Sequence, residues 1–200
     1  MVDFPPLAPS AKWMACFFES LKENNSLSEA ILLANKTVSP KEFGRFTLLK
    51  DSRNETVMSV AVEGGGRQLR SFDNLDGLNL SEHGNWRKTH LGALESSLGK
   101  TPFFRFFQKP LFEVYDNLSI TSLKDFNSAI FRVLYAFIMG NMKPENLCCF
   151  NSKDSVAERG TELARKLHED MSSFEVLANY GKEALLGFLA MKDRGLSKNN

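Results

Sequence analysis

His83-Gly84-Asn85-Trp86-Arg87-Lys88-Thr89-His90, running on through Leu91, Leu94 and Leu98 to Lys100-Thr101-Pro102-Phe103-Phe104, is where this chain changes character. Asn85 suits an N-cap, and the spacing of Leu91, Leu94 and Leu98 predicts an amphipathic helix over 86–98. Arg87 and Lys88 then fall in its first turn, at the positive end of the helix dipole. That end favours anions by ~0.3–1 kcal/mol per charge. Cations there need solvent or a negative partner.

Toward the N-terminus the pattern is strand-rich. Residues 1–9 are Pro-rich and extended, and Ala11–Ser20 reads as one short helix with Trp13, Cys16 and Phe17 on a shared face. A polar turn at Asn24–Ser28 leads to a short apolar run, Ile31–Ala34, read as a strand. Phe43–Lys50 and Glu55–Val62 are strands joined by a turn at Asp51–Asn54; Met58, Val60 and Val62 alternate with Ser59 and Ala61. Leu78–Leu80 is a last short strand.

Toward the C-terminus the pattern is helical. Thr101–Phe107 and Leu111–Tyr115 are short aromatic helices split by Pro110. Ser122-x-x-Asp125 is a capping box, opening a helix with Leu123, Phe126, Ile130, Val133, Leu134 and Phe137 at helical spacing and ended by Gly140 and Pro144. Ser155-x-x-Glu158 opens another, Phe174–Leu177 begins one that Gly181 caps or kinks, and Glu183–Lys192 follows. The reading is α+β, with a small mixed sheet and one short helix in the N-terminal half and a helical C-terminal half. One domain over 1–196 and a frayed tail at 197–200 are expected.

Composition removes several function classes. A net charge of +1, from 25 basic and 24 acidic residues, leaves no footprint for nucleic acid or anionic lipid. Ala129–Met139 is the longest apolar stretch; Arg132 interrupts it and it is far short of a ~20-residue membrane span. The opening Met-Val-Asp-Phe-Pro-Pro lacks the basic and apolar regions of a secretory signal, so a cytoplasmic location is expected. On that expectation the Asn-x-Ser/Thr triplets at Asn24, Asn35, Asn54, Asn79 and Asn117 carry no sugar, and Cys16, Cys148 and Cys149 are reduced thiols. The 17 Phe against 3 Tyr point to a Phe-rich core, because Phe brings buried area without a hydroxyl to satisfy.

Chemistry concentrates on the 83–90 stretch. His90 lies one turn beyond Trp86 and is either a general base or anion-pairing imidazolium, or a core-edge ring bonded to a backbone carbonyl. Asn85 caps the helix or orients a ligand, and Trp86 anchors the core or stacks on a sugar or base. Arg87 and Lys88 bind phosphate or carboxylate together with the helix N–H groups, or remain solvated. His83 reads as loop surface, and no third ligand at a suitable spacing supports a metal. Gly64–Gly66 has no following Lys-Ser/Thr, Cys148-Cys149 has no linked base, and no cofactor motif or Gly-x-Ser-x-Gly pattern occurs.

Asn85-Trp86-Arg87, His90, Ser96 and Thr101-Pro102-Phe103-Phe104 resemble the central block of the WbqC-like proteins. Pro9-Ser10-Ala11-Lys12-Trp13-Met14 is similar to that family's opening, and Phe174–Leu177 with Asn179 and Gly181 is similar to its late apolar run, so the likeness is collinear over most of the chain. This sequence departs from the pattern at Lys12 (usually Gln), Gly44 before Arg45 (usually Asn-Arg), Leu98 (an aromatic) and Tyr180 (Glu). The resemblance implies a cytoplasmic bacterial protein of O-antigen or other surface-polysaccharide synthesis, working beside enzymes of that pathway. It adds Lys12, Arg45 and Asn179 to the candidate ligand-binding set of Asn85, Trp86 and Arg87, with His90 as the candidate catalytic residue. The expected ligand is an anionic small molecule such as a nucleotide-activated sugar, and the reaction class to test is group transfer onto an activated amino sugar. Two further expectations stand beside it. One is a non-catalytic relative retained as a ligand-binding or scaffold subunit; the other is an interaction module using an exposed Phe103–Phe107 patch.

Overall fold

Phenylalanine supplies most of the interior. Phe4, Phe17, Phe18, Phe43, Phe104, Phe107, Phe126 and Phe174 are among the largest fully buried side chains, with Trp13 and Tyr115. They belong to one apolar cluster that draws on residues from Val2 to Ala178. The computed structural model describes residues 2–23, 25–51, 54–140 and 171–181. The helices expected at Ser155 and over Glu183–Lys192, with Pro144, Cys148, Cys149 and the tail, lie outside them.

The chain is α+β, as its pattern predicts. Helix α1 (Ala11–Lys22) starts at Ser10, whose side chain accepts from the Trp13 N–H. Trp13 stacks on Phe17 at 5.2 Å, and its Nε1–H donates to Asn35 Oδ1 at 2.9 Å. Asn35 is itself buried and donates to the Val2 and Phe4 carbonyls, fastening the extended N-terminal segment over the core.

Helix α2 (Leu27–Ala34) replaces the strand expected at Ile31–Ala34. Ser26-x-x-Glu29 is a full capping box: Glu29 Oε2 accepts from Ser26 N at 2.8 Å and Ser26 Oγ accepts from Glu29 N at 3.3 Å. A reciprocal cap nucleates a helix more strongly than a four-residue apolar run specifies a strand. Ala30, Ile31 and Ala34 then share the buried face.

The sheet is the antiparallel pair of β1 (Arg45–Asp51) and β2 (Asn54–Ser59). Phe46 opposes Met58 on the core face, while Thr47 and Val57 oppose each other on the outer one. The ladder ends at Ser59, yet the alternation continues, with Val60 and Val62 buried. Leu78–Leu80 does not form a strand. It is a stitch: Val62 bridges Leu80, Leu80 N donates to Thr121 O at 2.7 Å, and Leu123 N donates to Leu78 O at 2.9 Å.

Helix α3 spans Trp86–Leu98. Asn85 occupies its N-cap position, but its side chain makes no capping bond. Helix α4 (Gln108–Asp116) follows a 3-10 turn at Phe104–Phe106 and includes Pro110 in its first turn, where a missing N–H costs nothing. Helix α5 (Leu123–Met139) is capped by Ser122, which accepts from Asp125 N, and stops at Gly140 with φ 52°. Residues 173–181 are helical, with Gly181 at φ 72°. Phe104 and Phe107 are each 1% exposed, so they are core and not the expected aromatic docking patch; of the phenylalanines in that stretch Phe106 alone is well exposed.

Candidate functional site

The first turn of α3 carries the residues that the sequence singles out. Trp86 is buried and donates from Nε1 to the Ser81 carbonyl at 2.8 Å. Arg87, two places into a helix whose first turn repels cations, is also buried. Its guanidinium meets Glu82 from Nε at 3.2 Å and Nη2 at 2.9 Å. Nη1 donates to Tyr115 O, and Nη2 to Ile120 O, both at 3.1 Å. Tyr115 lies in the last turn of α4, so the charge that sits badly at the start of α3 sits well at the carbonyl end of α4. The guanidinium also lies over the Trp86 and Phe126 rings, at 4.9 and 5.3 Å.

His90 is held on both nitrogens. Nε2 lies 3.1 Å from the Ser59 carbonyl oxygen and Nδ1 lies 3.2 Å from the Tyr115 hydroxyl. A carbonyl only accepts, so Nε2 carries the proton and Nδ1 accepts from Tyr115. Burial pushes the imidazole down to about 4, with the Ser59 carbonyl pulling the other way. Burial likewise raises the Tyr115 phenol, against a smaller opposing pull from Arg87. The pair is therefore neutral at pH 7, one proton on each. It ties β2 to α4 through α3.

The remaining candidates lie on the surface. Asn85, Lys88 and His83 are exposed. Lys12 is exposed in the first turn of α1. Asn179 is exposed and donates to the Glu175 carbonyl at 3.0 Å. Arg45 is exposed at the first position of β1.

Arg45 opens onto a cleft of about 270 Å³ lined by Ala8, Ser10, Ser39, Lys41, Glu42, Phe46, Thr47 and Ser172. Three helix starts supply its hydroxyls. Ser10 caps α1, Ser39 caps the 3-10 turn Pro40–Phe43, and Ser172 precedes the helix at 173–181, where its Oγ accepts from Glu175 N at 3.4 Å. Ser10 and Ser172 are joined by an antiparallel bridge, through Ala11 N to Met171 O at 3.0 Å and Ser173 N to Pro9 O at 2.8 Å. Among the described residues the ion pairs are Arg87–Glu82 and those of Lys124 with Asp3 and Asp76. Lys41 and Arg45 thus face the cleft with no carboxylate on either. A small site with two unpaired cations and several hydroxyls suits an anion that also bears hydroxyl groups.

The structure brings only Arg45 of the sequence candidates to this cleft. Phe46 links the two regions: it lines the cleft, and its ring meets His90 edge-on at 6.0 Å and Phe174 at 5.2 Å. Lys41, Glu42 and Ser39 form a Ser-x-x-Glu capping motif, a local signal in the sequence for the turn though not for the cleft. Among the described residues no group of His, Cys, Asp or Glu side chains is arranged to hold a metal, and no helix is long and apolar enough to cross a membrane. The model of the WbqC-like protein family matches residues 15–183, which include Lys41, Glu42, Arg45 and Ser172. No curated protein and no solved structure matches the chain.

Proposed function

This chain belongs to the WbqC-like protein family, and we propose that it serves bacterial surface-polysaccharide synthesis in the cytoplasm by binding the phosphorylated end of an activated sugar in the Arg45 cleft. The observation that carries this reading is the pair of cations, Lys41 and Arg45, without an ion-pair partner among the described residues, in one cleft with the hydroxyls of Ser10, Ser39 and Ser172. At about 270 Å³ the cleft falls just below the roughly 300–1,000 Å³ of sites that enclose a drug-sized ligand. It fits a sugar phosphate, or one end of a sugar nucleotide whose base stays outside.

Binding without catalysis by His90 is the second reading, and a specific observation favours it: His90 already has a bond at each ring nitrogen and is neutral at pH 7. In this reading the Asn85–His90 turn builds the wall behind Phe46, and contact with the ligand falls to Arg45 and Lys41. Calorimetric titration with UDP-glucose and with glucose 1-phosphate tests both. Saturable binding that Arg45→Ala weakens about tenfold supports the cleft, since a charge-assisted bond is of that order. Binding that Arg45→Ala leaves intact would move the site away from this cleft.

A further inference from the structure

One group in the cleft does not fit a plain anion site. Glu42 lies on its lining, beside Lys41 and three residues before Arg45. A carboxylate there repels a phosphate. Its structural duty accounts for half of it only: Oε1 accepts from Ser39 N at 2.8 Å and from Ser39 Oγ at 3.1 Å, completing the capping box of the 3-10 turn. Neither Lys41 nor Arg45 is ion-paired with it, and Oε2 has no bond among the described residues. With Oε1 taken up by Ser39, Oε2 is left to accept from a ligand.

Resting on the cleft reading above, we infer that the site selects a ligand carrying a protonated primary amine beside its phosphate, with Glu42 as the acceptor for the amine. Two cations and one carboxylate line the cleft. Their complement is a dianionic phosphate with one ammonium, the charge pattern of an amino-sugar phosphate. Lys41 and Arg45 hold the phosphate oxygens, Glu42 Oε2 takes the ammonium, and Phe46 presents an apolar face to the C–H side of the ring. An N-acylated sugar has no ammonium and gains nothing from Glu42. Glu42 therefore separates an amino sugar from its N-acylated counterpart by charge.

The test is calorimetric titration of the full chain at pH 7 with glucosamine 1-phosphate, glucose 1-phosphate and N-acetylglucosamine 1-phosphate, repeated with Glu42→Gln. The glutamine keeps a carbonyl oxygen for Ser39 N–H and Oγ while removing the charge. The wild type is expected to prefer glucosamine 1-phosphate about tenfold over both controls, the scale of one partly solvated charge-assisted contact. In Glu42→Gln that preference disappears while glucose 1-phosphate binds as well as before or better. Equal affinity of the wild type for glucosamine 1-phosphate and glucose 1-phosphate overturns the inference and leaves the cleft reading standing, as does a preference that survives in Glu42→Gln. No heat from any of the three at millimolar concentration overturns the cleft reading itself. The wild-type comparison decides the matter even if the variant fails to fold.

Discussion

Arg87 and Arg45 are the same residue type in opposite circumstances. Arg87 is buried, its guanidinium donates to Glu82, Tyr115 and Ile120, and two aromatic rings cover its faces. Arg45 is exposed, has no ion-pair partner among the described residues and is open to a cleft that also holds Lys41. A buried charge has to be fully paired inside the protein, because leaving it bare costs several kcal/mol. An exposed charge is satisfied by water and can exchange that water for a ligand at little cost. The contrast teaches that the most conspicuous cation in a sequence can be a structural tie, whereas the one available to a ligand looks ordinary.

The widest gap between the two regions should appear in stability. Arg87→Ala takes a donor from the buried carbonyl of Tyr115 and the part-buried carbonyl of Ile120 and removes the charge over two rings; a loss of about 3–4 kcal/mol in urea unfolding is expected. A change below about 1 kcal/mol would break the comparison, since Arg87 would then be no more structural than Arg45.

His90 gives the next effect, through pH. In the folded protein it titrates near 4, and in the unfolded chain near the ordinary 6.5. Between those values the unfolded chain binds the extra proton, so stability is full above pH 6.5 and falls as the pH drops toward 4. The loss reaches roughly 3 kcal/mol. Urea midpoints measured from pH 7 to 4 for the wild type and His90→Gln isolate it, because carboxylates titrate in both. Equal slopes would mean that His90 is hydrated in the folded state.

Smaller effects sharpen the boundary of each region. Ser10→Ala removes the cap of α1 and should cost about 1 kcal/mol, a modest fall in melting temperature. Glu82→Gln weakens only the solvated side of the Arg87 network, since the Glu82 side chain is 57% exposed, and about 0.5 kcal/mol is expected. Arg45→Ala should leave stability within about 0.5 kcal/mol of wild type while changing ligand affinity. A large destabilisation by Arg45→Ala would erase the distinction between the two arginines.

Local signals are legible in the sequence where a single element settles the matter. The α3 boundary at Asn85, the Ser122 cap of α5, the stop at Gly140 and the alternation of Met58, Val60 and Val62 all follow from neighbours within a few residues. The short run at Ile31–Ala34 is misleading because the capping box that makes it helical begins five residues earlier, at Ser26. Leu78–Leu80 has strand-like composition but finds single bridges, to Val62 and beside Ser122, rather than a continuous ladder.

The site was less legible. The sequence places Arg87 and His90 on one helical turn, and they are there. Glu82, five residues before Arg87, is a near partner, but the others come from Ser59, Tyr115 and Ile120, between 25 and 33 residues away. The cleft is assembled from residues near 10, near 40 and near 172, which no local spacing connects.

By itself the sequence determined the α+β class, the position of the helix at 86–98 and the family, because capping, alternation and helical spacing act between near neighbours. Only the tertiary structure decided which cations are spent. Whether a guanidinium is an internal tie or a waiting hand depends on the carbonyls and carboxylates that distant segments bring to it, and burial alone sets how costly an unmade bond would be.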